Sequence, residues 1–94
     1  MMTTSNTALI TGASGGIGLE LARIHAQKGG DLVLVARSED KLLTLKSELE
    51  AQYKIHVTVI AEDLSQPESA QRIFDQTEAL GLQVDTLINN AGFG

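Results

Sequence analysis

The stretch "LITGASGGIGLEL", Leu9 to Leu21, decides the fold. A short apolar run reads as a buried strand, and a patch of glycine, alanine and serine follows it. A helix-like run then begins at Gly16. The junction carries no charged group and no evident nucleophile. A strand that turns sharply into a helix points backbone N–H groups outward, because the first four amides of a helix lack an internal partner. The helix dipole adds about half a positive charge there, so a pyrophosphate suits the site. Gly12 makes the turn out of the strand, Gly16 lets an anion approach the backbone, and Gly18 lets the helix pack on the first strand. Ala13, Ser14 and Gly15 keep the rim small. A mononucleotide loop would want Lys and Ser/Thr after the last glycine; Leu19 and Glu20 stand there instead, which favours a dinucleotide. A loop that only turns the chain is the alternative.

Beyond this junction the chain alternates two kinds of segment. Runs rich in β-branched and aliphatic residues predict strands over 8–11, 32–36, 55–60 and 86–89. Helical spacing covers the intervals. Gly16 to Lys28 places Ile17, Leu21 and Ile24 on one face, and Gly29-Gly30 stops it. Ser38, a candidate N-cap, opens a helix to about Tyr53 with Leu42, Leu45 and Leu49 inward. Pro67 to Leu80 carries Ala70, Ile73, Phe74 and Leu80 as its apolar set. Ser65 and Glu68 have capping-box spacing, and Gly81 ends the segment. The alternation predicts an α/β fold, a Rossmann-like three-layer arrangement with a parallel sheet. Right-handed crossovers with a central first strand give the order 3-2-1-4, the N-terminal half of a doubly wound domain.

Bulk properties narrow the function. A formal charge of −5 over 94 residues argues against nucleic-acid binding, which needs a basic face. No cysteine is present, so disulfide, thiolate and cysteine–zinc chemistry are excluded. No apolar run is long enough to span a membrane, and "MMTTSNT" lacks the order of a secretory signal; a cytoplasmic location is expected. His25 and His56 have no second ligand at metal-like spacing, and no cluster suggests a Ser/His/Asp hydrolase. Glu48 and Glu50 read as a solvated helix face.

The end of the second strand gives the cofactor signal. NAD-binding sites usually place an acid there for the ribose 2′-OH. This chain reads Ala36-Arg37. An arginine fork grips a 2′-phosphate that a carboxylate would repel, so NADP(H) is favoured over NAD(H), with Lys41 or Ser38 assisting. A solvated charge before a helix is the alternative for Arg37.

"TGASGGIG" (Thr11–Gly18) together with "NNAG" (Asn89–Gly92) resembles the short-chain dehydrogenases/reductases, with the "EDL" after strand three in keeping. The likeness runs from Thr7 to Gly94. It implies that Gly12, Ser14, Gly16, Ile17 and Gly18 line the pyrophosphate and adenosine ribose, and that Arg37 holds the 2′-phosphate. It further implies that Asp63 and the Leu64 backbone contact adenine. Asn90, Ala91 and Gly92 would run beside the ribose and nicotinamide, while Asn89 ties the sheet. Members use a Tyr-x-x-x-Lys pair and an upstream serine as catalytic groups. Tyr53 is the single tyrosine and Val57 stands four residues on, so no catalytic residue is assigned. Residues 1–94 are therefore expected to form one NAD(P)-binding domain that stops before the catalytic segment, inactive alone and prone to self-association. The full enzyme is expected to be a homo-oligomer acting on a small carbonyl or alcohol. A non-catalytic dinucleotide-binding module, or a fragment that binds nothing, are the other readings.

Overall fold

The structure, a computed structural model, describes residues 6–90. Its elements run β1 (Thr7–Thr11), α1 (Gly16–Gln27), β2 (Asp31–Ala36), α2 (Glu39–Gln52), β3 (Val57–Ala61), α3 (Ser69–Ala79) and β4 (Thr86–Ile88). All pairings are parallel, in the order β3-β2-β1-β4, as the alternation predicts. The physical logic is visible in the layers. The first two crossovers step the same way across the sheet and put α1 and α2 on one face. The third steps back over β2 and β1, so its right-handed path puts α3 on the other face.

Alternate strand residues serve the two faces. Ala8, Ile10, Leu32, Leu34 and Val57 pack with Ala22 and Ala26 of α1 and with Leu42, Leu45 and Leu49 of α2. Leu9, Val33, Val35 and Ile60 pack with Ile73 of α3. With both faces covered, β2 from Leu32 to Ala36 is buried throughout, which is why it reads as an unbroken apolar run.

Two helices end alike. Gly29 has φ 82° and Gly81 has φ 70°, a left-handed conformation that glycine adopts without steric cost. After α1, Gly30 N–H donates to His25 O and Gly29 N–H to Ala26 O; after α3, Leu82 N–H donates to Thr77 O and Gly81 N–H to Glu78 O. Both are Schellman closures. His25 also lies against Gly30, where a Cβ would sit 2.2 Å from its ring, and its Nε2 meets Asn6 O at 3.1 Å. That gives His25 a structural role.

The expected helix faces need correction. On α1 the buried residues are Gly18, Ala22 and Ala26, while Ile17 and Ile24 are exposed. The helix approaches the sheet through its small side chains; Leu21, as expected, packs against the core together with Leu19, while Ile17 and Ile24 turn outward. On α3 the buried set is Ser69, Ile73 and Thr77; Phe74, expected in the core, is 57% exposed. The helix starts at Ser69, two residues after Pro67, and the capping box is absent. Ser65 Oγ donates instead to Asp63 Oδ1 at 2.7 Å, an acceptor closer in the chain. Ser38 does hold the N-cap position of α2 but makes no side-chain cap bond. β3 begins at Val57 rather than Ile55, although Ile55 is buried.

Leu49 is fully buried between α2 and the sheet. Leu49→Ala should lower unfolding free energy by about 2–5 kcal/mol through lost burial and a cavity, read as a lower urea midpoint at unchanged slope.

Candidate functional site

The carboxyl ends of β1, β2 and β3 open onto a cleft of about 860 Å³. In a doubly wound sheet such a crevice sits where the strand order reverses, here between β1 and β4. Gly12, Ser14, Arg37, Asp63 and Leu64 all line it. Sequence reading and structure therefore bring these five residues together. Ile17 is 69% exposed beside the glycine turn. Asn90 is described, whereas Ala91 and Gly92 lie outside the described residues.

The glycine turn is built as its composition implies. Gly12 has φ 66° and Gly16 has φ 59°, which side chains with a Cβ rarely tolerate. Ala13 N–H donates to Val35 O at 3.3 Å and fixes the loop to the end of β2. Gly18 is the contact residue: a Cβ there would stand 2.4 Å from Gly12 O and 2.6 Å from Asn90 Nδ2. Among the described residues, Gly15 and Gly16 face the opposite condition, with nothing within 4 Å of an added Cβ, so open space lies before the helix start. Among the same residues no side chain caps α1, and no acidic residue lies in its first turn.

A second set of bonds ties this turn to β4. Thr11 Oγ1 donates to Asn89 Oδ1 at 3.0 Å and accepts from Asn90 N–H at 2.9 Å. Asn90 Nδ2 donates to Gly12 O at 3.4 Å. Asn89 thus ties the sheet, and Asn90 braces the same carbonyl that Gly18 approaches.

Charges divide across the cleft. Arg37 is exposed and forms no ion pair among the described residues. Asp63 Oδ1 accepts from the Ser65 hydroxyl and from Ser65 N–H. The hydroxyl first, then the amide and the charge of Arg37, hold this carboxyl below the usual carboxylate range. Its ionised form is thereby favoured in the folded state, an effect present above the ordinary carboxylate pKa and lost as pH falls through the lowered value. The neighbouring Glu62 has another task. Its Oε1 accepts from Arg72 Nε at 2.9 Å, so Glu62 and Asp63 do not form a carboxylate pair. The Arg72 contact was invisible to sequence reading, because the partners lie 10 residues apart across a loop.

Tyr53 caps the C-terminus of α2 and packs against the core. That helix runs back along the sheet, so Tyr53 lies at the amino ends of the strands, away from the glycine turn. Among the described residues no group of three potential metal ligands occurs, and no helix is long and apolar enough to cross a membrane.

Comparison with known proteins adds to this geometry. A family model described as short chain dehydrogenase matches residues 6–94. A very-long-chain 3-oxoacyl-CoA reductase of Kluyveromyces lactis is 44% identical over 85 residues, which are 90% of this chain and 25% of that protein. Among solved structures, L-sorbose reductase from Gluconobacter frateurii, complexed with NADPH and L-sorbose, superposes with TM-score 0.89 at 35% identity. The match covers 97% of this chain and 35% of that one. A short-chain dehydrogenase from Sphingobium yanoikuyae in complex with NADPH gives TM-score 0.85 at 37% identity, over 95% of this chain and 35% of that one. The chain spans about a quarter of the length of the curated relatives it matches.

The two kinds of glycine make a paired prediction. Gly18→Ala gains helix propensity of about 1 kcal/mol but drives a methyl into backbone, and should destabilise the fold by about 1–3 kcal/mol net. Gly15→Ala, at φ −173° and in open space, should leave the urea midpoint unchanged. Chemical denaturation of the two variants checks both.

Proposed function

The chain belongs to the short chain dehydrogenase family, and from that premise we propose that it is the NADP(H)-binding part of an oxidoreductase that moves hydride between a nicotinamide and a carbonyl or alcohol. The observation that carries the NADP(H) preference is Arg37, an exposed guanidinium without an ion pair among the described residues, on the wall of the cleft. The acid that a ribose 2′-OH would want at this point of β2 is absent, and Ala36 stands beside the arginine.

The residues present fit the group. The space before Gly15 and Gly16 is open, so a pyrophosphate can reach the free amides of the first turn of α1, and no carboxylate on that turn repels it. Ser14 and Ile17 flank the same turn. The Arg37 fork offers charge-assisted bonds to a 2′-phosphate. Asp63, kept ionised, accepts from the amino group of adenine, with the Leu64 backbone beside it. Asn90, followed by Ala91 and Gly92, borders the ribose and nicotinamide side. When bound, the nicotinamide supplies the hydride chemistry; the protein binds and orients it. Tyr53 is remote from the cleft, so no proton transfer is assigned to residues 6–90.

The same reading takes the substrate to be a small carbonyl or alcohol compound and the whole enzyme to be a cytoplasmic homo-oligomer. A cysteine-free sequence fits a reducing compartment. The 94-residue chain alone is expected to bind cofactor weakly and turn nothing over. The names of its relatives, a 3-oxoacyl-CoA reductase and an L-sorbose reductase, point to different substrates and favour neither.

Arg37→Asp should weaken NADPH binding by about ten- to a hundredfold, the loss of one or two charge-assisted bonds, and change NADH binding much less. Isothermal titration of both nucleotides measures this. Equal losses for the two would remove the NADP(H) assignment while leaving the fold intact.

A further inference from the structure

The wall of the cleft on the adenine side is a turn, residues 63–66, and one side chain outside the cleft holds both ends of it. Gln66 N–H donates to Asp63 O at 3.1 Å and closes the turn. At its start, Glu62 N–H donates to Ala36 O at 3.1 Å, which continues the β2–β3 ladder past Ala61. The Glu62 side chain is only 12% exposed. At its end, Gln66 O accepts from Ser69 N–H at 3.1 Å and from Ser69 Oγ at 2.9 Å, and Ser69 is buried at the head of α3.

Arg72, one turn into α3, bridges these two ends. Its Nε donates to Glu62 Oε1 at 2.9 Å and its Nη2 to Gln66 Oε1 at 2.6 Å. Gln76 Nε2 adds a longer bond to Glu62 Oε2 at 3.5 Å. The guanidinium uses its planar fork to fix two groups four residues apart, which a lysine ammonium cannot do with the same geometry. Glu62 and Gln66 line the cleft, whereas Arg72 does not. Arg72 stands behind the wall rather than in it. It can serve the site by setting where Asp63 and Leu64 stand.

We propose that Arg72 is a positioning residue for the adenosine half of the cofactor: by clamping Glu62 and Gln66 it holds the 63–66 turn in the shape that presents Asp63 and the Leu64 backbone to the base. This rests on the cofactor reading above. The Arg72 side chain is 41% exposed, so an ordinary surface ion pair, worth little to stability, is the competing role. The two roles separate in what they move. A surface pair shifts stability slightly and leaves ligand selectivity alone. Loss of a clamp on the turn weakens binding of the adenosine half, spares binding at the glycine turn, and loosens the Ser65–Asp63 bonds that hold the carboxyl below its usual range.

The experiment compares wild type, Arg72→Ala and Arg72→Lys, titrated with 2′,5′-ADP and with inorganic pyrophosphate. Asp63 is followed in the same proteins by carboxyl NMR across a pH series. Arg72→Ala should weaken 2′,5′-ADP by about three- to tenfold, the size of one net hydrogen bond. Arg72→Lys, which keeps the charge but loses the fork, should recover less than half of that loss. Pyrophosphate should bind all three alike, and the Asp63 titration should move upward in both variants. Equal 2′,5′-ADP affinity in the three proteins, or full rescue by lysine, would overturn the positioning role. So would a parallel loss of pyrophosphate binding, which would mark a general structural defect. Wild type that binds pyrophosphate but not 2′,5′-ADP would overturn the NADP(H) reading and this inference with it.

Discussion

A Cβ on Gly18 would lie 2.4 Å from the carbonyl oxygen of Gly12, and the rest of the site depends on that missing atom. Because it is missing, α1 begins almost in contact with the end of β1, whose following residues Gly12 and Ser14 line the cleft. The close approach also decides which face of the helix is buried. Gly18, Ala22 and Ala26 follow each other at intervals of four and form the buried stripe, with Leu19 and Leu21 packed along its flanks. Ile17 and Ile24 are turned outward as a result. The packing and the binding geometry have one cause.

Electrostatics at the cleft run against those of the chain as a whole. The protein carries a formal charge of −5, yet among the described residues the elements that meet at the cleft leave a helix start without a side-chain cap and an arginine without an ion pair. The acids nearby are occupied or placed apart. Glu62 is neutralised by Arg72, and Asp63 is held by Ser65 next to Arg37. Local dipoles and single side chains can override net charge for a small anion.

The chain showed its architecture readily and its finer contacts poorly. β2 is buried on both faces and reads as an uninterrupted aliphatic run; Leu42, Leu45 and Leu49 have helical spacing and are all buried. Gly29 and Gly81 sit where left-handed caps are needed. These are local signals with local causes. On α1, periodicity picks out Leu21, which packs on the core, but also Ile17 and Ile24, which do not, because it weighs large side chains where most of the contact is made by small ones; the Gly18, Ala22, Ala26 interval is the signal for that. The capping box at Ser65 failed because a hydroxyl chooses the nearest good acceptor, and Asp63 is two residues away. The place of Gly12, Ser14 and Arg37 on the cleft wall is legible, since each stands at a strand end or helix start that otherwise carries something else. The contacts of Arg72 are not, because they exist only once β3 and α3 have docked.

The bonds from Thr11 to Asn89 and Asn90 span 78 and 79 residues, and β4, the strand they anchor, has only three residues. Bringing such distant segments together costs more loop entropy than any neighbouring pairing in the sheet, and a three-residue strand repays little of it alone. Formation of the sheet from β1 to β3 can therefore precede the last docking step. Gly12 acquires its brace from Asn90 only then. A nascent chain would carry most of the layers described above before Asn90 reached the Gly12 carbonyl, so that brace reports the docking of β4.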